Sequence, residues 1–590
     1  MNTKISASEW LSTSCFLNSL LREFQDWQAM DLPERLQVQS GCRQGICLTL
    51  SKHPEFSKIW IPLQRYSVVG RHRYSLPGYG EDSRQQRASL DLMHMATIIL
   101  GEEGIVGINE AEQRQIFLQR LQDSRDMIEE SLRLRHQDIV DSFDADLTFR
   151  EAEQLLIVGH SLHPTPKSRD EFTADDKSVY SPEMAGHFPL SWVVADPRYF
   201  HERRSEHFSR DWIQELVASD PSLRLHVPAG FRILPMHPWQ AEKLKQHPAL
   251  QKAIAAGQVQ FLTSPGDDWY PTSSVRSLYR QHAPYMLKFS LTLKLTNSIR
   301  HLLVHEVERG VQVYDVLQSQ HGQRLLQEQR SLHVICEPAY AMLVGESSEL
   351  LHESIVVCRE NPVHRDDDPQ PLVLATLTQE DPLGRGNLIV RNIEGLAVDR
   401  GLTMATASRL WFKTFCRVAL EPLMVAQSNF GILLGAHQQN LLLTLKNHLP
   451  DQLFFRDCQG TGYAEWAFER LRDQVQSLDL ENGNIVSHDM AVYLFTYYLV
   501  INSTFNVIAA IADSEVIEET ELLRELRVLV QELIDRQPFD NELLQDLLQE
   551  RTLMHKGNFR CSVQSINENT SHNPMSIYTP IRNPLHEMQA

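Results

Sequence analysis

Strict alternation over residues 287–296 constrains this chain more than any other feature. Apolar residues from Leu287 to Leu295 take every second position, and polar residues fill the others. A period of two is typical of a strand with one apolar and one polar face. We therefore predict a single strand here, followed by a helix that opens at Arg300.

The polar face of this predicted strand has basic and hydroxyl neighbours. Ser273–Ser277 precedes it and Ser298–Arg300 follows it. Cationic groups and hydroxyls would converge on one hairpin, which suits an anion with many oxygens, such as a nucleotide phosphate or a polycarboxylate. An ordinary solvated face is the alternative.

The length of 590 residues predicts about three domains. Residues 1–150 mix amphipathic helices with short strands, residues 151–400 are rich in strand and turn patterns, and residues 401–590 are mainly helical. The predicted fold class is therefore multidomain α+β.

Local secondary structure can be predicted for three further segments, one in the middle of the chain and two near its C-terminus. Leu372–Leu377 has the pattern of a strand and Asn541–His555 that of a helix. The tail, Asn567–Ala590, is rich in Asn, Ser and Pro, so we expect it to be extended against the body or disordered.

Met490–Ala512 carries no charge over 23 residues, which is long enough to span a bilayer. Polar residues at Asn502 and Asn506, with no basic residues at the flanks, favour instead a helix buried in a bundle. We expect no membrane association.

Composition excludes other classes of protein. The 76 acidic and 56 basic residues give a formal net charge of −20, so we expect no nucleic-acid partner, which would need a basic face. An anion site must then be a local cluster of cations. The eight cysteines lack common zinc-ligand spacing and are expected to be reduced. No secretory signal pattern is present, so we expect a cytoplasmic protein.

The chain has neither a GxxxxGK[ST] loop, nor a GxGxxG after a strand, nor a GxSxG elbow. A nucleotide site would need dispersed residues, and four clusters are candidates. Two are weak alone. Gly159–Arg169 reads equally well as a charged surface loop, and His237–Gln240 (HPWQ) as a helix start with a packed tryptophan.

The third cluster is the hairpin, with its basic and hydroxyl side chains: Ser274, Arg276, Ser277, Lys288, Lys294 and Arg300. The fourth is the HQQN turn at 437–440 with Asp457 17 residues after Asn440. An amide and a carboxylate oxygen suit Mg²⁺, and kinases use a comparable pair. A buried polar turn is the alternative. Lys556, in KGNFR, is by itself an exposed basic turn.

In this order the motifs HPTPKSR, HPWQ, SVRS, RENP, HQQN and RDxxG, with the spacing of Lys288 and Arg300, resemble a known family. It is the NRPS-independent siderophore (NIS) synthetases of the aerobactin-synthetase, IucA/IucC type. The resemblance covers about residues 150–560, and the N-terminal CFLNSLLREFQDW resembles citrate-using members. It implies a cupped hand: a thumb (1–150), sheet-rich fingers (151–400) and a helical palm (401–590), with the active site between fingers and palm where all four clusters meet.

The resemblance implies that a carboxylate of citrate, or of a related polycarboxylate, attacks the α-phosphate of ATP. The acyl-adenylate then reacts with an amine, amino-alcohol, amino acid or hydroxyl and releases AMP. ATP and Mg²⁺ are the implied cofactors, and a homodimer is expected from the family alone. The acceptor and the reacting carboxylate stay open.

Site residues follow from the same resemblance. The implied contacts to ATP or the adenylate are His163, Ser274, Arg276, Ser277, Lys288 and Gln439, with Lys167 and Arg169 as companions. Those to citrate are Arg300 and His437, those to Mg²⁺ are Asn440 and Asp457, and Lys556 lies near the acyl or acceptor end. Of these, Arg300, His437, Lys288 and Lys556 are the implied catalytic residues.

Two positions depart from the family pattern. Gly435 replaces a frequent glutamate, and Ser277 a usual threonine whose hydroxyl is kept. Two rival functions stay open: a small-molecule phosphotransferase, from the kinase-like Asn440 and Asp457, and a non-catalytic citrate or siderophore sensor, from Gly435.

Overall fold

The computed structural model describes residues 5–51, 53–106, 108, 110–263, 266–296, 298–478, 484–566 and 573–588. Its N-terminal part packs helices on an antiparallel sheet. The sheet has the order Trp27–Asp31, Gln44–Thr49, Lys58–Arg65, Gly78–Glu81 and Arg87–Leu90, and Arg73–Tyr74 pairs with Lys58–Arg65. The helices are Ala7–Glu23, Glu34–Ser40, Leu92–Gly101, Ala111–Leu134, His136–Asp144 and Phe149–Gln154.

The middle of the chain contains two larger sheets and a hairpin. One antiparallel sheet orders Val259–Thr263, Ser191–Ala195 and Arg232–Met236. The other orders Tyr270–Pro271, Ser277–Tyr279, Tyr285–Phe289, Val356–Glu360, Ala339–Leu343 and Phe200–Arg204. Leu291–Leu295 pairs with Ser298–Arg300. The helices are Ala174–Tyr180, Trp212–Ala218, Pro238–Leu244, Gln251–Ala255, Val304–Gln318, Gln320–Glu328, Leu374–Thr378 and Leu388–Arg400.

The C-terminal part is mainly helical. A mixed sheet orders Leu332–Ile335, Leu449–Arg456, Leu441–Lys446 and Leu372–Val373, with smaller pairings of Ile432–Leu433, Gly462–Ala464 and Ile485–Val486 and of Thr552–Lys556 with Tyr578–Arg582. The helices are Met404–Phe415, which continues through a π turn into Glu421–Phe430, then Glu465–Leu471, His488–Ala512, Glu519–Asp535, Glu542–Gln549, Asn558–Gln564 and Pro584–Glu587.

The prediction of one strand over 287–296 is wrong. The chain forms Tyr285–Phe289 and then Leu291–Leu295, which lie in different sheets. Ser290 separates them, because its Oγ donates to the His352 carbonyl (2.6 Å) and accepts from the Leu302 N–H (2.8 Å). Alternation alone does not reveal such a side-chain bond to the backbone.

The predicted helix start at Arg300 is also wrong, because Arg300 ends a strand and the helix begins at Val304. Leu372–Leu377 is a strand only to Val373 and then turns helical. Every residue in it is buried, and periodicity does not distinguish strand from helix in such a run.

The C-terminal predictions hold in part. The helix predicted over 541–555 ends at Gln549, and Thr552–Lys556 is a strand. Its partner, Tyr578–Arg582, confirms the extended form for that piece of the tail. Residues 567–572 and 589–590 lie outside the described residues.

Helix His488–Ala512 is long and apolar enough to cross a membrane, yet 89% of its apolar window is buried within the protein. The predicted buried helix is therefore confirmed. HPWQ is likewise a helix start, since the His237 side chain accepts from the Trp239 N–H (3.2 Å) and Pro238 opens the helix. The domain boundaries near 150 and 400 stay a prediction.

The first helix, Ala7–Glu23, and the helix Asn558–Gln564 share one core. Phe16 and Phe117 pack against Phe559, with ring centroids 5.4 and 5.5 Å from it. Glu23, at the end of the first helix, accepts from the N–H groups of Phe559 (2.6 Å) and Arg560 (2.9 Å). The N-terminal helix thus fixes the segment that carries Lys556.

Candidate active site

One cavity of about 330 Å³ collects the predicted site residues. Its wall comes from residues 156–169, 273–300, 437–440, 456–457, 497–502 and 556–558, together with Arg359 and Ala375. All thirteen predicted residues line it: His163, Lys167, Arg169, Ser274, Arg276, Ser277, Lys288, Arg300, His437, Gln439, Asn440, Asp457 and Lys556. Their individual roles stay predictions.

Two predicted participants lie elsewhere. His237, of the second cluster, and Lys294, of the third, are not among the residues that line this cavity. The backbone N–H of Lys294 donates to Glu171 (2.9 Å), on the outer side of the hairpin. The expectation that all four clusters meet is therefore wrong for HPWQ, whose role is to begin a helix.

One side of the cavity, here called the cationic wall, consists of Arg276, Lys288, Arg300 and Arg359. Val275 sets its shape, because it has a φ of 67°, a strained value for a β-branched residue, in a turn that closes between Thr272 and Ser277. This turn aims Arg276, whose Nη1 donates to the Arg300 carbonyl (3.3 Å).

The two arginines of the strand ends repel each other. Burial first, and then the neighbouring Arg276, lower the pKa of Arg300 to about 10, although Asp457 opposes the change. Among the described residues, the Arg300 Nη2 donates to neutral oxygens, the Leu295 carbonyl (3.1 Å) and Thr296 Oγ1 (3.0 Å). Both cations would therefore be stabilised by an anionic ligand.

Beneath these arginines lies a charge network. Lys288, 1% exposed, donates to Asp457 Oδ1 and approaches Glu337 Oε1 at 3.4 Å. Arg359 grips the same Glu337 oxygen through Nε (3.0 Å) and Nη2 (2.5 Å). Burial alone would raise the pKa of Asp457, but Lys288, Arg359 and Arg276 hold it well below its usual range. Asp457 is thus a carboxylate at any working pH.

The turn at Asp457 joins the clusters physically. Asp457 has a φ of 77°, in the left-handed region that Asn and Asp tolerate best. The preceding residue, Arg456, donates to Glu153 (2.5 Å), to the Gln439 carbonyl (2.8 Å) and to Ser273 Oγ (3.2 Å). One buried arginine therefore ties the 273–277 turn, the HQQN turn and the helix Phe149–Gln154 together.

Lys167 and Arg169 have a different partner from the one predicted. Glu183, fully buried, lies 3.2 Å from the Lys167 Nζ and 2.6 Å from the Arg169 Nη2. Burial lowers the pKa of Lys167 to about 8, although Glu183 opposes this. The wall position of both residues agrees with the prediction, but much of their charge is already neutralised.

A second group of lining residues, here called the neutral wall, consists of His160, His437, Tyr497, Asn502 and Asn558. Burial lowers the pKa of His160 to about 3 and that of His437 to about 4, so both rings are neutral. Asn502 Nδ2 lies 3.0 Å from His160 Nε2, and Asn558 donates to the Tyr497 hydroxyl (2.9 Å). Lys556 is the cation at this end.

Several wall residues were missed from the sequence. Arg359 belongs to the RENP motif, so its basic character in a strand could have singled it out. Asn502 was noticed, but only as evidence against a membrane span; a cluster of amides in a buried helix also signals a polar cavity. No sequence pattern marks Glu337 or Glu153 as a site residue, because isolated carboxylates are common in any chain.

Among the described residues no group of three or more His, Cys, Asp or Glu side chains is placed to hold a metal ion. Asp457 and Asn440 remain the candidate ligands. The Asn440 Nδ2 donates to the Gly435 carbonyl (3.2 Å), which fixes the amide and leaves its oxygen as the acceptor. Gly435 itself has room, since a Cβ there would meet only the Gly460 carbonyl at 3.7 Å.

Comparison with known proteins gives consistent matches. The IucA / IucC family model matches residues 148–379, and a model described as ferric iron reductase FhuF-like transporter matches residues 409–571. N(2)-citryl-N(6)-acetyl-N(6)-hydroxylysine synthase of Vibrio mimicus is 36% identical over 98% of this chain and 96% of its own. The synthase of that name from Escherichia coli is 31% identical over 98% and 97%.

A solved structure agrees with the sequence relatives. ATP-bound aerobactin synthetase IucA, from a hypervirulent pathotype of Klebsiella pneumoniae, matches with a TM-score of 0.89 at 29% identity, over 99% of this chain and 100% of that chain. Near-complete coverage extends the likeness to the N-terminal part, beyond the family models. The resemblance read from the motifs is confirmed, and the chain belongs to the IucA/IucC family of siderophore synthetases.

Proposed function

We propose that this enzyme uses ATP to adenylate a carboxylate of citrate and then joins the acyl group to an amine, with release of pyrophosphate and AMP. The observation that carries the proposal is the convergence of thirteen dispersed polar residues on one cavity with a cationic and a neutral wall. The relatives named above as citryl-hydroxylysine synthases support citrate as the acid.

The first step must bring two anions together, and the cationic wall suits that task. Arg276, Lys288 and Arg300 would offset the repulsion between triphosphate and citrate, and fixed groups need no reorganisation during the reaction. Ser277 fits a phosphate oxygen as well, because its Oγ is buried and has no hydrogen-bond partner among the described residues. Its hydroxyl can donate to the nucleotide.

Mg²⁺ fits the same region. Asp457 offers a permanent carboxylate and Asn440 an amide oxygen, which are hard ligands of the kind Mg²⁺ takes alongside nucleotide phosphates. When bound, the ion would offset the charge of the triphosphate. Lys288, which donates to Asp457, would then also be available to a phosphate oxygen. Its contact with Glu337 would hold its position.

Citrate would lie between Arg300 and His437. Arg300 presents the planar guanidinium that grips a carboxylate with two hydrogen bonds. His437, being neutral, would donate a single hydrogen bond to a second carboxylate or to the hydroxyl. Lys556 would face the acyl group from the neutral wall.

The acceptor would approach from the neutral wall. Its attacking nitrogen must be uncharged, and neutral imidazole and amide groups do not stabilise its protonated form as carboxylates would. The names of the two relatives make N6-acetyl-N6-hydroxylysine, attacking through N2, the acceptor to test first. A cytoplasmic location remains a prediction from the sequence, and a homodimer remains a prediction from the family.

Citrate-dependent exchange of radiolabelled pyrophosphate into ATP tests the adenylation step without an acceptor. We expect exchange with ATP, Mg²⁺ and citrate, and none when citrate is left out. A parallel series with α-ketoglutarate tests the choice of acid. Failure of every polycarboxylate to support exchange would contradict the proposal.

A further inference from the structure

A second, smaller cavity lies directly beside the active site. It offers about 40 Å³ and shares Gly159, Ala375 and Gln438 with the active-site cavity. A water needs about 10–15 Å³ on this measure, so there is room for about three water-sized groups. That is too little for a nucleotide or citrate, but enough for the end group of a longer substrate.

Unsatisfied hydrogen-bond acceptors face this space. Asp513, whose side chain is 6% exposed, uses Oδ1 to bind Arg65 (2.6 Å), while its Oδ2 is buried without a partner among the described residues. Glu380, which also lines the cavity, has no ion pair or side-chain hydrogen bond within the described part of the chain. A buried polar atom left without a partner is costly, so a ligand that donates to it would bind favourably.

Two of the cations around the cavity, Arg71 and Arg65, are held by other groups. The Arg71 Nη2 donates to the Thr378 carbonyl (2.9 Å) and its Nη1 to the Asn506 carbonyl (3.3 Å). Arg65 is held by Asp513 and Glu519. The lining thus still offers Asp513 Oδ2, the Glu380 carboxylate and the Ser14 hydroxyl, whose Oγ is also buried without a partner among the described residues.

The electrostatic state of Glu380 agrees with an unoccupied acceptor. Burial, with a smaller contribution from Asp513, raises the pKa of Glu380 to about 7, although Arg71 and Arg73 oppose the rise. A hydrogen-bond donor placed against this carboxyl would stabilise its charged form, because the new bond replaces part of the hydration that burial removes.

We infer that this cavity is the subsite for the far end of the acceptor, and that it binds an end group with hydrogen-bond donors, an ammonium or an N-hydroxyl. The inference rests on the proposed function, because the attacking nitrogen must lie in the active-site cavity. The chain of the acceptor would cross between the two cavities at Gly159 and Ala375, where the side chains are smallest.

Three 2-amino acids with the same six-carbon chain test the subsite. Norleucine ends in a methyl group, lysine in an ammonium and N6-acetyl-N6-hydroxylysine in an N-hydroxyl group. We expect the wild-type enzyme to favour at least one of the two donor-ended acceptors over norleucine by tenfold or more in kcat/KM. Glu380→Gln should reduce that preference at least fivefold. The acceptor whose advantage over norleucine falls is the one whose end group donates to Glu380.

Ser14→Ala provides a second variant that removes only one hydroxyl, and we expect it to reduce the same preference about threefold, the size of a single neutral hydrogen bond. Glu394→Gln, on an exposed helix position, is the matched control. Equal preference in the wild type, Glu380→Gln and Ser14→Ala would overturn the inference, as would a wild type without preference. Citrate-dependent pyrophosphate exchange should be unchanged in all variants; its absence from the wild type would instead refute the proposed function.

Discussion

The two walls of the active-site cavity differ in charge and in origin. The cationic wall takes three of its four residues from one stretch, Arg276 to Arg300, and two of its charges, those of Lys288 and Arg359, are paired with Asp457 and Glu337. The neutral wall combines residues from positions 160, 437, 497–502 and 558, and its histidines carry no charge. Under the proposed function this difference would separate two tasks: one wall would offset the repulsion between anions, and the other would receive an uncharged nucleophile.

The largest effect on this comparison is expected from Asp457→Asn. Asparagine tolerates the left-handed backbone at this position, so the substitution removes the charge without straining the turn. Loss of the carboxylate should lower citrate-dependent pyrophosphate release about 10²-fold or more, if the metal is held there. Asp451→Asn, exposed on the strand Leu449–Arg456 that ends just before Asp457, is the control. Normal turnover in the Asp457 variant would remove this residue from the site.

Arg300→Gln should weaken the binding of citrate at the cationic wall more than the binding of ATP. It removes a charged hydrogen-bonding group, at a cost of about 2 kcal/mol, or about thirtyfold in the KM for citrate. The KM for ATP should change less than about twofold. Steady-state kinetics with each substrate varied measure both values, and Lys294→Gln, on the same hairpin but outside the cavity, should match the wild type. An equal rise in both KM values would show that Arg300 does not discriminate between the anions.

Tyr497→Phe tests the neutral wall. The substitution removes the hydroxyl that accepts from Asn558 and lies 3.4 Å from His160 Nε2. We expect kcat/KM for the acceptor to fall about fivefold, the size of one hydrogen bond, while pyrophosphate exchange stays normal. Tyr493→Phe, one turn earlier on the helix, is the control. A matching fall in exchange would mean that the walls do not divide the two steps.

The smallest effect concerns Glu23, which fixes the segment that carries Lys556. Burial raises the pKa of Glu23 from 4.5 to about 8, although the N–H groups of Arg560 and Phe559 oppose the rise. Because the folded protein holds this proton more tightly, the stabilisation is complete below about pH 4.5 and is lost as the pH rises toward 8. The Tm of the wild type should therefore fall more than that of Glu23→Gln between pH 5 and pH 8.5.

Thermal unfolding at several pH values measures this slope. Glu34→Gln, at an exposed position near the start of the next helix, should follow the wild type throughout. A Tm difference between the wild type and Glu23→Gln that stays constant with pH would show that Glu23 is ionised in the folded protein.

The comparison of the walls also explains what could be predicted. Arg276, Lys288 and Arg300 are close in sequence and share a period of two or a short turn, so the sequence predicts their convergence without any tertiary information. Tyr497 and Asn558 are brought together by packing of helices from distant parts of the chain, and no local pattern marks them. Their presence was missed for that reason.

The errors in secondary structure have the same cause. Ser290 divides the predicted strand because its side chain bonds to a segment 62 residues away, at His352. Leu372–Leu377 changes from strand to helix inside a fully buried run, where the burial pattern carries no period. By contrast, the helix start read from HPWQ holds in the structure, since Pro238 marks it locally.

The most direct test of the account is to identify the products of ATP during one complete reaction. The purified chain is given ATP, Mg²⁺, citrate and N6-acetyl-N6-hydroxylysine, with lysine and norleucine in parallel, and the products are separated by chromatography with mass detection. The account predicts AMP, pyrophosphate and a citryl amide in equal amounts, and none of them without citrate. ADP together with a phosphorylated product would instead identify a phosphotransferase and contradict the central claim.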